Sequence, residues 1–168
     1  MRSYTRQCLE GLKYLHEKRV IHRDIKPANI LIDDGGKIML ADFGASKAMK
    51  GMATVETEVH SIRGTPYFMA PEVIKQTNVG RKSDIWSLGG TILQMMTGEP
   101  PWKSMGLKDP AALMFKIASS GESPPIPEGT AENLRSFLSS CFQIEPKERA
   151  RADELLTHAF ILEEAPPG

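Results

Sequence analysis

The chain has 168 residues, 40% of them hydrophobic and 25% charged, a composition that supports one soluble domain with its own core. Lysine plus arginine and aspartate plus glutamate total 21 each, so no net field draws the chain to nucleic acid or to an anionic membrane. The two cysteines, Cys8 and Cys141, have no metal-ligand spacing and are too few for a disulfide framework, which argues against a disulfide-stapled secreted scaffold.

Met1 to Gln7 leads into an amphipathic stretch rather than the apolar centre of a signal peptide, so a cytoplasmic location is expected. Leu9, Leu12 and Leu15, with Arg6, Glu10, Lys13 and Glu17 between them, predict a helix with one buried face that ends near Lys18. Val20-Ile21 then enters a polar stretch, His22 to Asn29. Two apolar runs, Ile30-Leu31-Ile32 and Lys37-Ile38-Met39-Leu40, flank Asp33-Asp34-Gly35-Gly36 and predict a small hairpin, whose open end should bring Asn29 and Asp42 together. Residues 45–69 have little periodicity and read as a loop. Ser83-Asp84 can cap an apolar helix over Ile85 to Met96, too short to span a bilayer, and Gly98-Glu99-Pro100-Pro101 ends it. Ala111 to Ala118, Ala131 to Phe142 and Ala152 to Leu156 predict three shorter amphipathic helices. The result is a mainly helical domain over residues 3–162, followed by a frayed tail at 163–168. The nine methionines read as core filler, and His16, His60 and His158 have no catalytic spacing.

The chemistry concentrates in short segments. Asp24, Lys26 and Asn29 place a carboxylate, an ammonium and a carboxamide within six residues, and Asp42-Phe43-Gly44 begins thirteen positions after Asn29. Two carboxylates and a carboxamide are hard oxygen donors of the kind Mg2+ requires, and phosphoryl transfer needs charge neutralisation and a positioned hydroxyl rather than covalent catalysis. With Ala70-Pro71-Glu72, these segments resemble the catalytic loop, metal loop and activation-segment end of the protein kinase family. The resemblance is to that family's large lobe, and implies a helical bundle with a small β-hairpin at the catalytic loop.

It also implies ATP and Mg2+ as cofactors, with Asn29 and Asp42 as the metal- and nucleotide-binding residues and Asp24 as acceptor of the substrate hydroxyl's proton. Lys26 resembles the lysine by which serine/threonine kinases approach the transferred phosphate, and Thr65, in Gly64-Thr65-Pro66-Tyr67, resembles the threonine that hydrogen-bonds toward the catalytic aspartate and lysine. Thr54, Thr57 and Ser61 fall where the family carries regulatory phosphates, Ser61 being the first choice, and Arg23 resembles the arginine that such a phosphate pairs with. Structural roles are implied for His22, Phe43, Gly44, Glu72, Asp84 and Arg149: Glu72 and Arg149 as a buried ion pair, Asp84 as a carboxylate accepting backbone N–H bonds from the catalytic loop, and His22 as a packing and hydrogen-bonding residue.

The runs Gly64 to Ile74 and Arg81 to Thr91, continued by Gly98-Glu99-Pro100-Pro101-Trp102, resemble the mitogen-activated protein kinase kinase kinases. Glu145, Ala150 and Ala159 depart mildly from that pattern. The implied partner is a protein substrate, a MAP kinase kinase; neither nucleic-acid binding nor membrane insertion is expected. No G-x-G-x-x-G occurs in the sequence, so the small lobe is expected to be missing and the chain alone to have little activity. The alternative is a non-catalytic kinase-like module that binds cascade kinases.

Overall fold

A computed structural model describes residues 1–41 and 66–163 and the strand Lys47–Ala48. The chain is mainly helical. Helix α1 (Arg2–Glu17) is followed by strands β1 (Val20–Ile21), β2 (Ile30–Ile32), β3 (Ile38–Leu40) and β4 (Lys47–Ala48), then by α2 (Pro71–Lys75), α3 (Arg81–Thr97), α4 (Pro110–Ser119), α5 (Glu132–Cys141), α6 (Ala152–Leu155) and α7 (Ala159–Leu162).

Helix α1 buries Thr5, Cys8, Leu9, Leu12 and His16, one stripe at three- and four-residue spacing. Lys18 caps it, and Arg19 then turns the chain with φ 59°. Strands β2 and β3 pair antiparallel, Ile30 opposite Leu40, Leu31 opposite Met39 and Ile32 opposite Ile38. Asp33 closes the turn, its Oδ1 accepting the N–H groups of Gly35 at 2.9 Å and Lys37 at 2.8 Å, while Gly36 adopts φ 81°, a conformation that favours glycine. Gln7 of α1 docks this hairpin: its Oε1 accepts the Ile38 N–H at 2.8 Å and its Nε2 donates to the Gly36 carbonyl at 3.3 Å.

Helix α3 lies at the centre. Ten of its residues are buried, from Ser83 to Leu93 except Ser87, so apolar side chains surround it rather than form one stripe. Trp86 meets Phe142 edge-on, with ring centroids 5.2 Å apart. Gly89 lets α5 approach: a Cβ there would lie 2.7 Å from the Cys141 Cβ and 2.9 Å from Phe142. The helix ends at Gly98 in the left-handed region, φ 79°.

Three elements differ from the sequence reading. The first turn of α3 begins at Arg81 after Gly80, and Ser83 Oγ accepts the Gly80 N–H at 3.3 Å, so Ser83 and Asp84 sit inside the helix rather than ahead of it, freeing Asp84 for another role. Within the stretch expected to be a loop, Lys47–Ala48 pairs antiparallel with Val20–Ile21; two residues are too few for periodicity to reveal. Beyond the expected helix at Ala152 to Leu156, seen as α6, a further short helix α7 forms at Ala159–Leu162, capped by His158, which accepts the Phe160 N–H at 3.1 Å. Glu163, first residue of the expected frayed tail, meets Arg2 at 3.1 Å and accepts from Asn133 at 3.2 Å; residues 164–168 lie outside the described residues.

Candidate active site

The loop between β1 and β2 is held from beneath by a carboxylate. Asp84, 1% exposed, accepts the His22 N–H through Oδ2 and the Arg23 N–H through Oδ1, each at 2.9 Å. His16 at the end of α1 donates Nε2–H to the same Oδ2 at 2.9 Å. A carboxylate so deeply buried is tolerable only when donors surround it, and these two amides fix the backbone just before Asp24. Arg23 adopts φ 75°, the left-handed region, which costs a residue with a side chain about 1–3 kcal/mol and persists only where the surroundings impose it. Asp84 imposes it.

His22 is fully buried and connects the two ends of the site. The Asp24 amide can only donate, so at 3.1 Å it makes His22 Nδ1 an acceptor, leaving Nε2–H to donate to the Ala41 carbonyl at 2.8 Å. Both ring nitrogens are thereby assigned to positioning rather than to proton transfer. Further contacts engage His22 and Arg23 beyond these.

Asp24, Lys26 and Asn29 converge. Asn29 Nδ2 donates to the Asp24 carbonyl at 2.7 Å and to its Oδ2 at 2.9 Å; because both partners are pure acceptors, the amide orientation follows. Its Oδ1 has no partner among the described residues and remains a hard oxygen donor. Lys26 Nζ stands 3.7 Å from Asp24 Oδ2, with the two side chains 37% and 36% exposed, an open pair held by little more than proximity. The turn Pro27–Asn29 sets this geometry, the Asn29 N–H donating to the Lys26 carbonyl at 3.0 Å. The Asn29 carbonyl accepts the Ala41 N–H at 2.8 Å, so the hairpin's open end joins Asn29 to the residue that precedes Asp42.

Asp42, Phe43, Gly44, Thr54, Thr57, Ser61 and Thr65 lie outside the described residues. Among the described residues no group of three His, Cys, Asp or Glu side chains could hold a metal. Asn29 Oδ1 and the Asp24 carboxylate nonetheless have the oxygen chemistry that suits Mg2+.

Two further features frame the loop. Glu72 of α2 receives a bidentate pair from Arg149, Nη1 to Oε1 at 2.6 Å and Nη2 to Oε2 at 3.1 Å. The remaining guanidinium hydrogens go to the carbonyls of Lys82 at 2.8 Å, Ile144 at 3.3 Å and Gln143 at 3.0 Å, and the group stacks 5.1 Å from the Trp86 ring centroid. Ser83 Oγ adds a bond to Glu72 Oε1 at 2.9 Å. All five Arg149 donors are satisfied, as a buried cation requires. α2 is thus anchored to the helical core, and the segment before it reaches the loop: Phe68 and Met69 line one cavity with Arg23 and Asp24, and Ser87 Oγ holds the Phe68 carbonyl at 2.6 Å.

The other feature escaped sequence reasoning. Leu31 and Met39 face each other on the outer side of the hairpin and stay 48% and 47% exposed, forming an apolar ledge beside Asn29. The two-residue period of paired strands signals it: Ile30, Ile38 and Leu40 lie on the core side, so Leu31 and Met39 between them face out, while Ile32 beside the turn is itself 54% exposed.

Comparison with known proteins agrees with this geometry. The family model described as protein kinase domain matches residues 1–161. The chain is 50% identical over 162 residues to mitogen-activated protein kinase kinase kinase A of Dictyostelium discoideum, covering 96% of this chain and 17% of that protein. It is 47% identical over 159 residues to mitogen-activated protein kinase kinase kinase 3 of Mus musculus, covering 95% and 25%. With mitogen-activated protein kinase kinase kinase ANP1 of Arabidopsis thaliana it shares 49% over 162 residues, covering 96% and 24%. The chain therefore spans a quarter or less of the length of these curated relatives.

Proposed function

The chain belongs to the protein kinase family, and from that premise we propose that it is the large lobe of a serine/threonine protein kinase of the mitogen-activated protein kinase kinase kinase type, acting on a MAP kinase kinase. The observation that carries this reading is the convergence of Asp24, Lys26 and Asn29 on one loop, with Asn29 bonded to Ala41 just ahead of Asp42.

In this reading Asn29 Oδ1 and the Asp42 carboxylate hold Mg2+ with the nucleotide phosphates, and the bound Mg-ATP supplies the transferable phosphoryl group and its charge neutralisation. Asp24 accepts the hydrogen bond of the incoming serine or threonine hydroxyl and then its proton. Its Oδ2 is pinned by Asn29, which leaves Oδ1 to face the substrate. Lys26 approaches the transferred phosphate as a point charge, and Thr65 steadies the aspartate and lysine. The Leu31–Met39 ledge takes the apolar face of the base. His22, Arg23, Phe43, Gly44 and Asp84 position these groups, Glu72 and Arg149 anchor the segment that binds substrate, and phosphate on Ser61, Thr57 or Thr54 orders the loop between.

The test joins this chain to the nucleotide-binding lobe of a curated relative and measures transfer to a MAP kinase kinase. Asp24→Asn is expected to lower the rate by about 10²–10⁴-fold, the usual worth of a general base, without moving the unfolding midpoint. Equal turnover in the variant would overturn the assignment and favour a kinase-like binding module.

A further inference from the structure

Behind the candidate active site, the last turn of α1, the N-terminus of α3 and the start of α6 enclose a groove of about 330 Å³, room for a small molecule or for one side chain with a charged head. Four cations line it, Lys13, Arg81, Lys82 and Arg151, against two carboxylates, Glu17 and Asp153. Both carboxylates already have partners: Glu17 lies 3.9 Å from Lys13 and Asp153 lies 3.0 Å from Arg151, which Glu154 also meets at 3.3 Å. Arg81 has no ion-pair partner among the described residues. Among the described residues Lys82 Nζ donates only to backbone carbonyls, those of Pro146 at 3.2 Å and of Arg149. Burial holds the Lys82 ammonium below its usual range; Glu154 works against that shift, while Arg149, Arg151 and Arg81 add to it by repulsion. The surplus positive charge stands at the head of a 17-residue helix whose cap, Gly80, offers no side-chain acceptor, so the helix dipole adds to it.

The floor of the groove is His16, 7% exposed. One edge of its ring donates to Asp84 Oδ2 at 2.9 Å; Nδ1, on the other edge, has no partner among the described residues. A ligand touching that ring therefore acts on the group that steadies the carboxylate clamping the His22 and Arg23 amides.

We propose that this groove is a regulatory site for a phosphoryl group, bound by Arg81, Lys82 and the first turn of α3, and that its occupancy reaches the catalytic loop through His16 and Asp84. The regulatory half rests on the kinase reading given above; the binding half does not. Tetrahedral multivalent oxyanions suit the site because they accept several divergent N–H donors at once and gain most where cations outnumber carboxylates, as around Arg81.

The test uses the full chain, isotope-labelled, in phosphate-free buffer, titrated separately with inorganic phosphate, O-phosphoserine, a short phosphoserine peptide and unmodified serine. Magnetic resonance follows the His16 ring and the backbone amides of His22 and Arg23. A phosphorylated probe is expected to move all three along one saturable curve, with no response to serine. Arg81→Gln, at an exposed position, is expected to weaken binding about ten-fold or more, and Lys108→Gln, outside the groove, to leave it unchanged. Tighter binding of inorganic phosphate names the free ion as the source, and tighter binding of the peptide names a phosphorylated protein segment. Absence of saturation with every phosphorylated probe, or equal binding by Arg81→Gln, overturns the site. A response at His16 that never reaches His22 and Arg23 overturns the coupling. None of these readouts requires turnover, so failure here is distinct from failure of the kinase assignment.

Discussion

Asp84 serves two amides and one imidazole with two oxygens, and only a carboxylate can accept in all three directions at once. Asp84→Asn keeps size and shape but turns an NH2 toward a donor. One amide then loses its acceptor inside the core, a loss of about 1–3 kcal/mol. The expected result is a matching fall in unfolding free energy by urea titration together with faster hydrogen exchange at the His22 and Arg23 amides. Unchanged exchange there would mean that the clamp is not what holds the loop. Residue type and position alone read Asp84 as a carboxylate near a helix start, and its bonds to the catalytic loop were an expectation of the kinase resemblance. Its exchange of a capping role for a grip on a loop about sixty positions upstream depends on how α1 and α3 cross.

Helix packing explains why glycine stands at 89. Alanine favours a helix over glycine by about 1 kcal/mol, but the new methyl would sit 2.7 Å from the Cys141 Cβ, and overpacking of this kind costs about 1–3 kcal/mol. Steric conflict therefore outweighs propensity, and Gly89→Ala is expected to lower the melting temperature; a rise would show that α5 can give way. One turn back along α5, the His158 ring, which accepts the Phe160 N–H, packs edge-on to Phe137 with centroids 5.4 Å apart. Burial lowers the His158 pKa below its ordinary value of 6.5, so the unfolded chain binds the proton more readily than the folded one. Stability from this group is complete above about pH 6.5 and declines as pH falls below it toward the folded-state value. His158→Asn, which keeps a capping acceptor, is expected to abolish this part of the acid-side decline in urea midpoint while matching the parent at pH 8. An unaltered profile would assign the decline to other groups.

On the scale of the whole molecule, the proposed nucleotide site draws on the described residues from one side: the buried Asn29 carboxamide, the half-exposed Asp24 carboxylate and the exposed Leu31–Met39 ledge. A ligand covered on one side keeps much of its surface in water, so the chain by itself is expected to bind Mg-ATP only weakly, and a micromolar dissociation constant by calorimetry would contradict this. Much of this architecture could be read locally. The periods of α1 and the hairpin, the stop at Gly98 and the spacing of Asp24, Lys26 and Asn29 are consequences of neighbours along the chain, and the resemblance of those short segments to the kinase family pointed to phosphoryl transfer. The pairing of β1 with β4, the turn of Asp84 toward the loop and the groove over His16 were not accessible that way, since each joins segments far apart in sequence whose meeting depends on packing around α3. Local residue order by itself determined which chemical groups the protein carries and the short elements that bear them. Burial of α3 on all sides decided which of those groups meet, because close packing around one central helix leaves few ways for the remaining elements to cover it.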